Sequence, residues 1–287
     1  MDIAVLGAGR VGTALAVLWS RAGHRIVAVA GGPDTRDRAA THLPGVPVLD
    51  PTEAAREAEV VVIATPDATI AEVCERIARA GSIRSRSSVA HVSGATGLDA
   101  LDAAASIGAT TLSIHPLQTI PSVEAGVDRI PGAGFAVTAT SEQGEALGDR
   151  LAEDAGGRPF RLADDMKALY HSAGVFASNY LVTITAIAQQ IEAEAGVKDS
   201  GEYLATLQDA TLENIRRVGA ADALTGPAVR GDASTVERNL AALAERVPEA
   251  VPSYVVLAEL TAGIAARSGR LPPEGRHAVQ EILDRWR

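Results

Sequence analysis

The sequence predicts an α/β protein with a doubly wound, mainly parallel sheet, followed by an all-α second domain. In the first part of the chain, short apolar runs alternate with helical patterns, which is typical of parallel strands joined by helices. Several of these runs are nearly continuous in Val, Ile and Ala, as in strands that are covered on both faces. Beyond residue 163 only helical patterns remain. We therefore expect two domains, at residues 1–163 and 164–287.

The predicted elements follow one another with short connections. Candidate strands cover residues 2–6, 25–30, 47–49, 60–64, 88–92, 111–114, 135–138 and 159–162. Helical patterns lie between most of these strands, for example at 70–80 and 142–155, and right-handed crossovers are expected. In the second domain, helical patterns cover residues 167–195, 201–218, 234–245, 253–268 and 274–285.

Composition narrows the classes of partner and the cellular location. The chain has 287 residues, 47% of them hydrophobic, and a net charge of -10, which argues against nucleic acid or an anionic membrane as the main partner. Cys74 is the only cysteine, so no intramolecular disulfide and no cysteine-based zinc site are expected. Met1 and Asp2 lead directly into the first strand without a signal-peptide pattern. We expect a cytoplasmic protein.

One long stretch without charged residues has two interpretations. Residues 168–191 contain no Asp, Glu, Lys or Arg, and the stretch is long enough to span a bilayer. It also carries His, Ser, Asn, Thr and Gln side chains, which are costly in lipid. A helix buried inside the second domain therefore explains the pattern better than a membrane span. The same apolar helix suggests packing against a second subunit, so we expect a homodimer.

The first glycine motif predicts a dinucleotide site of the Rossmann type. The sequence Gly7-Ala8-Gly9-Arg10-Val11-Gly12 follows a predicted strand and opens a helical pattern. In such a motif the first glycine permits a tight turn, the second admits a pyrophosphate, and the third allows close packing of helix and strand. The pyrophosphate would lie at the positive end of the helix, near the backbone of Arg10 and Val11. The alternative is an ordinary glycine-rich turn.

The end of the second strand favours NADP over NAD. An NAD site usually has an acidic residue there to bind the ribose, but here the strand ends in Ala30 and Gly31. Arg36, with Arg38 as a second candidate, is suited to binding a 2′-phosphate. Asp34 keeps NAD as the alternative, because it is close enough in sequence to bind a ribose hydroxyl.

Other candidate binding residues follow the carboxyl ends of later strands, where ligands of open α/β sheets bind. Thr65 and Pro66 start a helix at a point suited to the nicotinamide ribose, although a plain helix start is the alternative. Ser93 offers a hydroxyl and neighbouring backbone amides, predicted to bind the cofactor, a carboxylate or a carbonyl. Gly94 beside it is a candidate for substrate contact.

His115 is the first candidate for proton transfer. It ends a predicted strand, so we expect its imidazole to face the ligand crevice and to donate to a substrate oxygen or to carry a proton. The alternative is a loop histidine bonded to backbone. Gln118 follows in the same loop as a candidate substrate contact. No second ligand has metal-site spacing, so no metal is expected.

A polar stripe opens the second domain. Lys167, His171 and Asn179 recur at steps of four, which places them along one helix face. A buried lysine is costly without a partner, so a polar cleft or a bound ligand is indicated, with core residues satisfied by backbone as the alternative. Farther along, Arg230 is suited to binding a substrate carboxylate, or to pairing with Asp232.

These motifs together resemble a known family. GAGRVG, IATPD, HVSG, HPLQT, KALYHSAGVFASNYLV and TGPAVRGD are similar to stretches of Rossmann-like proteins with a helical C-terminal domain of unassigned function. That family resembles the 6-phosphogluconate dehydrogenase-like superfamily, which includes ketopantoate reductase, pyrroline-5-carboxylate reductase and β-hydroxyacid dehydrogenases. In the β-hydroxyacid and ketopantoate enzymes, a lysine and an asparagine four residues later lie on the first long helix after the nucleotide domain. Lys167 matches the lysine, whereas His171 stands in place of the asparagine. The pair His115-Pro116 is similar to prephenate dehydrogenase.

The resemblance implies an NADPH-linked reductase of a small oxo or imino acid, with ketopantoate as the first candidate and hydride transfer between the two domains. In that hypothesis Lys167 stabilises the oxyanion and supplies its proton, while His171 or His115 assists. Arg230 or the backbone near Ser93 holds the carboxylate. The alternative is a non-catalytic NADP-binding sensor or assembly protein, because a fold does not establish a function.

Overall fold

A seven-stranded sheet organises the first of two structural units. The computed structural model describes all residues from 1 to 287 and divides into units at Met1–Ser178 and Asn179–Arg287. The strands are β1 (Asp2–Leu6), β2 (Arg25–Ala30), β3 (Val60–Ile63), β4 (Ser88–His91), β5 (Thr110–Pro116), β6 (Gly134–Ala139) and β7 (Arg158–Arg161). The predicted strand at 47–49 forms only a single bridge, between Val29 and Val48.

The topology confirms a doubly wound, mainly parallel sheet. The strand order is β2-β1-β3-β4-β5-β6-β7. All neighbouring strands are parallel except β5 and β6, which pair antiparallel. The carboxyl ends of β1 to β5 therefore lie along one edge of the sheet, where the segments after Leu6, Ile63, His91 and Pro116 come together.

Helices cover both faces of this sheet. They are α1 (Arg10–Arg21), α2 (Thr35–His42), α3 (Pro51–Arg56), α4 (Ile70–Arg79), α5 (Asp102–Ala105), α6 (Val123–Arg129), α7 (Glu142–Asp154) and α8 (Lys167–Gly174). One apolar core includes Trp19 and Phe135, and a second on the opposite face includes Ile77 and Leu101. The indole of Trp19 is fully buried and donates to the carbonyl of Leu151 at 2.8 Å, which joins α1 to α7.

The second unit is all helical, as predicted. Its helices are α9 (Tyr180–Glu194), α10 (Ser200–Val218), α11 (Ala220–Ala223), α12 (Pro227–Arg230), α13 (Ala233–Arg246), α14 (Val251–Arg267) and α15 (Pro273–Arg285). Its core contains Val236, Leu240, Val255 and Val279. Residues 248–267 are long and apolar enough to span a membrane by composition, but several residues of α14 belong to this core, as in helices of soluble proteins.

The predicted single helix at 167–195 is interrupted and exposed. A π-helix at Val175–Asn179 separates α8 from α9. The expectation that this segment is buried is wrong for the single chain, since Leu169 is 71% exposed, Phe176 67% and Val182 68%. No residue of α9 and only Leu204 of α10 is buried. Hydrophobic content therefore misled the prediction, because an apolar helix face becomes buried only where another surface covers it.

The division between the units falls later in the chain than the expected 163/164. The structural units divide after Ser178, so that α8 belongs to the same unit as the sheet. The contacts of Lys167, described below, account for this arrangement.

Candidate active site

The glycine loop has the geometry that a dinucleotide site requires. Gly7 has a φ of +102°, and a Cβ there would lie 2.5 Å from the backbone of Ala64 and Thr65. A Cβ at Gly12 would collide with the carbonyl oxygen of Gly7. By contrast, a Cβ at Gly9 would meet no atom within 4 Å. The first and third glycines are therefore needed by the fold itself, whereas the second borders open space.

The start of α1 leaves backbone donors for an anion. No side chain caps this helix, and the N–H groups of Arg10, Val11 and Gly12 have no acceptor within the helix. Such a helix start carries a partial positive charge that favours phosphate. The predicted pyrophosphate position at Arg10 and Val11 is thus chemically suited to its ligand.

A pocket of about 240 Å³ opens beside this loop. Its lining residues come from the glycine loop and from the segments after β2 and β3: Gly7, Ala8, Gly9, Gly31, Gly32, Pro33, Asp34, Thr35, Arg38, Ala64, Thr65 and Pro66. The hydroxyl of Thr65 is buried there and has no hydrogen-bond partner. A buried polar group without a partner is costly, and a ribose or an amide would supply one. The donors present therefore fit a dinucleotide.

Arg38, and not the preferred candidate Arg36, lines this pocket. Arg38 donates to the carbonyl of Ala8 at 2.7 Å and lies 4.0 Å from Asp34. Arg36 is exposed, and it is not among the lining residues. In helix α2 these positions are two apart and face different directions, which the sequence alone did not resolve.

The loop after β4 is fixed by Ser93. Its hydroxyl donates to Asp67 at 2.7 Å and accepts from the backbone N–H of Ala95 and Thr96. Its own N–H donates to Nδ1 of His91 at 3.2 Å. These contacts give the Ser93 side chain a structural role, and they connect the Thr65-Pro66 segment to the β4 loop through Asp67.

Lys167 is buried against the middle of β5 and the loop after β4. Its ammonium donates to the hydroxyl of Ser113 at 2.7 Å and to the carbonyl of Ser93 at 3.1 Å, and the residue is 1% exposed. No carboxylate lies within 4.0 Å of it. Burial lowers the pKa of Lys167 to about 8, against the opposing attraction of Asp164 and Asp67. Two of its three ammonium protons thus have a hydroxyl or a backbone acceptor.

His115 contacts a side chain and not the backbone. Its Nδ1 lies 3.0 Å from the hydroxyl of Tyr170, and its ring is 6.3 Å from that of His171 in an edge-on arrangement. Its ring also packs against Gly94, where a Cβ would lie 2.7 Å from the imidazole. Burial, and then the charge of Lys167, lower the pKa of His115 to about 4. The imidazole is therefore neutral at neutral pH.

The structure brings the three predicted catalytic residues, Lys167, His171 and His115, close to one another. Two residues that were not predicted from the sequence, His91 and Tyr170, lie beside them. His91 is fully buried, its Nε2 has no partner, and burial and Lys167 lower its pKa to about 4. Tyr170 contacts His115 directly. A histidine inside a buried strand was a detectable signal for His91, whereas Tyr170 has no signal besides its place between Lys167 and His171.

Other candidates lie outside this cluster. Gln118 is exposed and bonded locally, to the carbonyl of Arg129 and the N–H of Thr119. Asn179 and Arg230 belong to the second unit and are exposed. Asn179 is the last residue of a π-helix at Val175–Asn179, which interrupts the α-helix on which Lys167 and His171 lie.

Arg230 forms no ion pair with Asp232. That carboxylate instead accepts from the backbone N–H of Thr235 and caps α13. The clamp considered as an alternative role for Arg230 is therefore absent.

Comparison with protein families confirms the resemblance inferred from the motifs. Residues 1–116 match a Rossmann-like domain, and residues 133–261 match a domain of unknown function, DUF2520. The chain joins a Rossmann-like domain to a DUF2520 domain. None of the curated proteins compared with it matches.

Solved structures share this architecture over nearly the whole chain. A protein from Bacteroides fragilis, described as a proposed NADP oxidoreductase, is 22% identical with a TM-score of 0.77 and covers 91% of this chain and 98% of its own. A protein from Thermotoga maritima is 21% identical, with a TM-score of 0.70 and coverages of 93% and 99%. Pyrroline carboxylate reductase from Plasmodium falciparum, solved with NADP, is 11% identical, with a TM-score of 0.60 and coverages of 97% and 98%. These likenesses establish the fold.

The burial of Lys167 predicts a pH-dependent stability. Its pKa is about 8 in the folded protein and higher in the unfolded chain, so between these values the folded state binds fewer protons and stability rises with pH. From about pH 7 to about pH 9.5 the gain is about 2 kcal/mol. Urea unfolding gives the free energy of unfolding of wild type and Lys167→Met at both pH values, and the gain is the change with pH in the wild type minus that in the variant. Equal changes with pH would contradict a lowered pKa. Lys198→Met, at an exposed lysine, is the matched control.

Proposed function

We propose that this chain is an NAD(P)-dependent oxidoreductase that reduces a small oxo or imino acid with NADPH. The observation that carries the proposal is a continuous series of contacts along one edge of the sheet. It runs from the Thr65-Pro66 side of the glycine-loop pocket through Asp67 and Ser93 to the cluster of Lys167 and His115. A bound cofactor and a proton-transferring group are thereby brought to the same edge.

The cofactor site supports NADP. Bound NADPH supplies a hydride, and the first turn of α1 with the glycine loop would hold its pyrophosphate. Strand β2 ends in Ala30 without an acidic residue, and the guanidinium of Arg38 borders the same pocket. The side chain of Asp34 is 86% exposed, so it is poorly placed to favour the ribose hydroxyl of NAD over the 2′-phosphate of NADP. NAD remains the alternative cofactor.

The charge of Lys167 supports a reductive role for the cluster. With His91 and His115 neutral, the ammonium is the main positive charge beside Ser113 and the β4 loop. A positive charge in a site of low dielectric stabilises the oxyanion that forms on hydride addition. Because Lys167 is buried, it would act by its field across the loop and not by direct contact with the substrate.

The class of substrate is proposed from resemblance and from chemistry. The motifs resemble reductases of oxo and imino acids, and pyrroline carboxylate reductase has a similar fold. Ketopantoate is the first substrate to test. Arg230, exposed and without an ion pair, is available to a carboxylate. His171 and Gly94 border the cluster as candidate substrate contacts.

The burial of Lys167 also favours a second candidate function. A lysine whose protons are engaged by Ser93 and Ser113 is compatible with a structural role. The chain would then be a non-catalytic NADP-binding sensor or assembly protein that keeps the fold without turnover.

Cofactor binding tests the premise shared by both functions. We expect Gly9→Ala to fold like the wild type, because its Cβ enters open space, and to bind NADPH at least about tenfold more weakly, because that space would hold the pyrophosphate. Fluorescence titration with NADPH and NADH measures the affinities. Gly263→Ala, within helix α14, is the control and should bind as wild type does. Unchanged binding in Gly9→Ala would refute the proposed cofactor position.

Turnover separates the enzyme from the sensor. We expect NADPH oxidation by the wild type with at least one member of a panel of short 2-oxo acids, ketopantoate included, and cyclic imine carboxylates. Lys167→Met should lower kcat about 100-fold, because the oxyanion loses its stabilising charge. NADPH binding without turnover of any panel member would favour the sensor, and full activity of Lys167→Met would remove the lysine from the mechanism.

We further propose that a second copy of this chain covers the exposed helices. The large apolar side chains of α9 and α10 are unusually exposed for a soluble monomer, and residues 168–191 carry no charge to oppose association. A homodimer has twice the 29.5 kDa of one chain. Light scattering should show this mass for the wild type and a lower mass for Val182→Glu. Ile107→Glu, at an exposed position of the first unit, should stay dimeric. A monomeric wild type would contradict the proposal.

A further inference from the structure

We propose that Tyr170 is a catalytic residue, whose phenol gives the substrate its proton while the imidazole of His115 holds the phenol in place. The inference rests on the proposed reductase function and deepens it. It starts from a contact that neither the motifs nor the proposed cofactor site accounts for, the 3.0 Å approach of the Tyr170 hydroxyl to Nδ1 of His115.

The tyrosine ring is fixed from two sides. His115 meets it edge-on at 5.6 Å between ring centres, and Phe160 meets it at 5.9 Å. His115 is held in turn by Gly94, whose lack of a side chain admits the imidazole. A hydroxyl that is held by packing and by one hydrogen bond is oriented before any ligand arrives.

The protonation states suit a donor. Burial raises the pKa of Tyr170 to about 12, so the phenol keeps its hydrogen at neutral pH. His115 is neutral, and with its hydrogen on Nδ1 it donates to the phenol oxygen. In this tautomer the phenolic hydrogen is not used by His115 and can be donated to a substrate. The phenolate that then forms still accepts the hydrogen bond from His115.

The neighbouring groups are less suited to direct proton transfer. Lys167 is 1% exposed, and its ammonium already donates to Ser113 and Ser93. His91 is fully buried beneath the β4 loop. Tyr170 is only half-buried, and its hydroxyl is oriented by the contact with His115.

The step balances for a carbonyl or an imine. The hydride brings two electrons to the carbon, and the π-bond pair moves onto the oxygen or nitrogen. That atom takes the hydrogen of the Tyr170 hydroxyl as the O–H bond breaks. The phenolate then regains a proton from water, so each turnover consumes one NADPH and one proton.

Kinetics of Tyr170→Phe test the inference with the panel member that the wild type reduces. We expect kcat to fall about 100-fold while NADPH affinity stays within about twofold, since only the proton donor is lost. Between about pH 6 and pH 7.5, the residual rate should fall with rising pH as protons come from solvent, whereas the wild-type rate should stay flat. Tyr254→Phe, in helix α14 of the second unit, is the control and should keep full activity.

A second variant separates positioning from chemistry. Gly94→Ala keeps the phenol but displaces His115, so kcat should fall while the melting temperature reports any general loss of structure. Full activity of Tyr170→Phe would overturn the inference while leaving the reductase intact. Absence of turnover in the wild type would instead refute the reductase, and the inference with it.

A substrate-free measurement provides an independent check. Nitrogen NMR of the His115 ring should show hydrogen on Nδ1 in the wild type and a changed Nδ1 signal in Tyr170→Phe. Hydrogen on Nε2 alone, with Nδ1 accepting from the phenol, would overturn the proposed direction of donation.

Discussion

The buried ammonium of Lys167 is the interaction on which the rest of the site depends. It joins the first turn of α8 to strand β5 through Ser113 and to the loop after β4 through Ser93. Removing a charge from water is costly, and here two neutral oxygens and distant carboxylates offset only part of that cost. These contacts of Lys167 hold α8 against the sheet, and Tyr170 of the same helix therefore lies beside His115.

The same charge sets the chemistry of its surroundings. After burial itself, Lys167 is the next largest influence that lowers the pKa values of His91 and His115. Burial and this one cation together keep the two imidazoles neutral, so that they act through hydrogen bonds and not as charges. The positive charge of the site is therefore concentrated on the ammonium nitrogen of Lys167, and such a charge stabilises negative charge that develops nearby.

The sequence predicted the sheet well because strand signals are local. Runs such as Val60–Ile63 and the glycines around Gly7 carry their conformational requirements within a few residues. The proximity of Lys167 and His171 was also predictable, because residues four apart share one face of a helix, and His115 was predicted at the carboxyl end of a strand. What could not be predicted depends on three-dimensional packing: the contact of Tyr170 with His115, the choice of Arg38 over Arg36, and the exposure of α9. Each of these depends on side-chain direction or on a covering surface that a one-dimensional pattern does not encode.

The scarcity of lysine gives the chain an unusual property toward amine-reactive compounds. It holds only two lysines, the exposed Lys198 and the buried Lys167. Acylating reagents therefore meet one lysine at the surface and the other only when α8 separates from the sheet. The rate at which Lys167 is labelled, compared with the rate for Lys198 in the same sample, therefore reports how often α8 separates from the sheet.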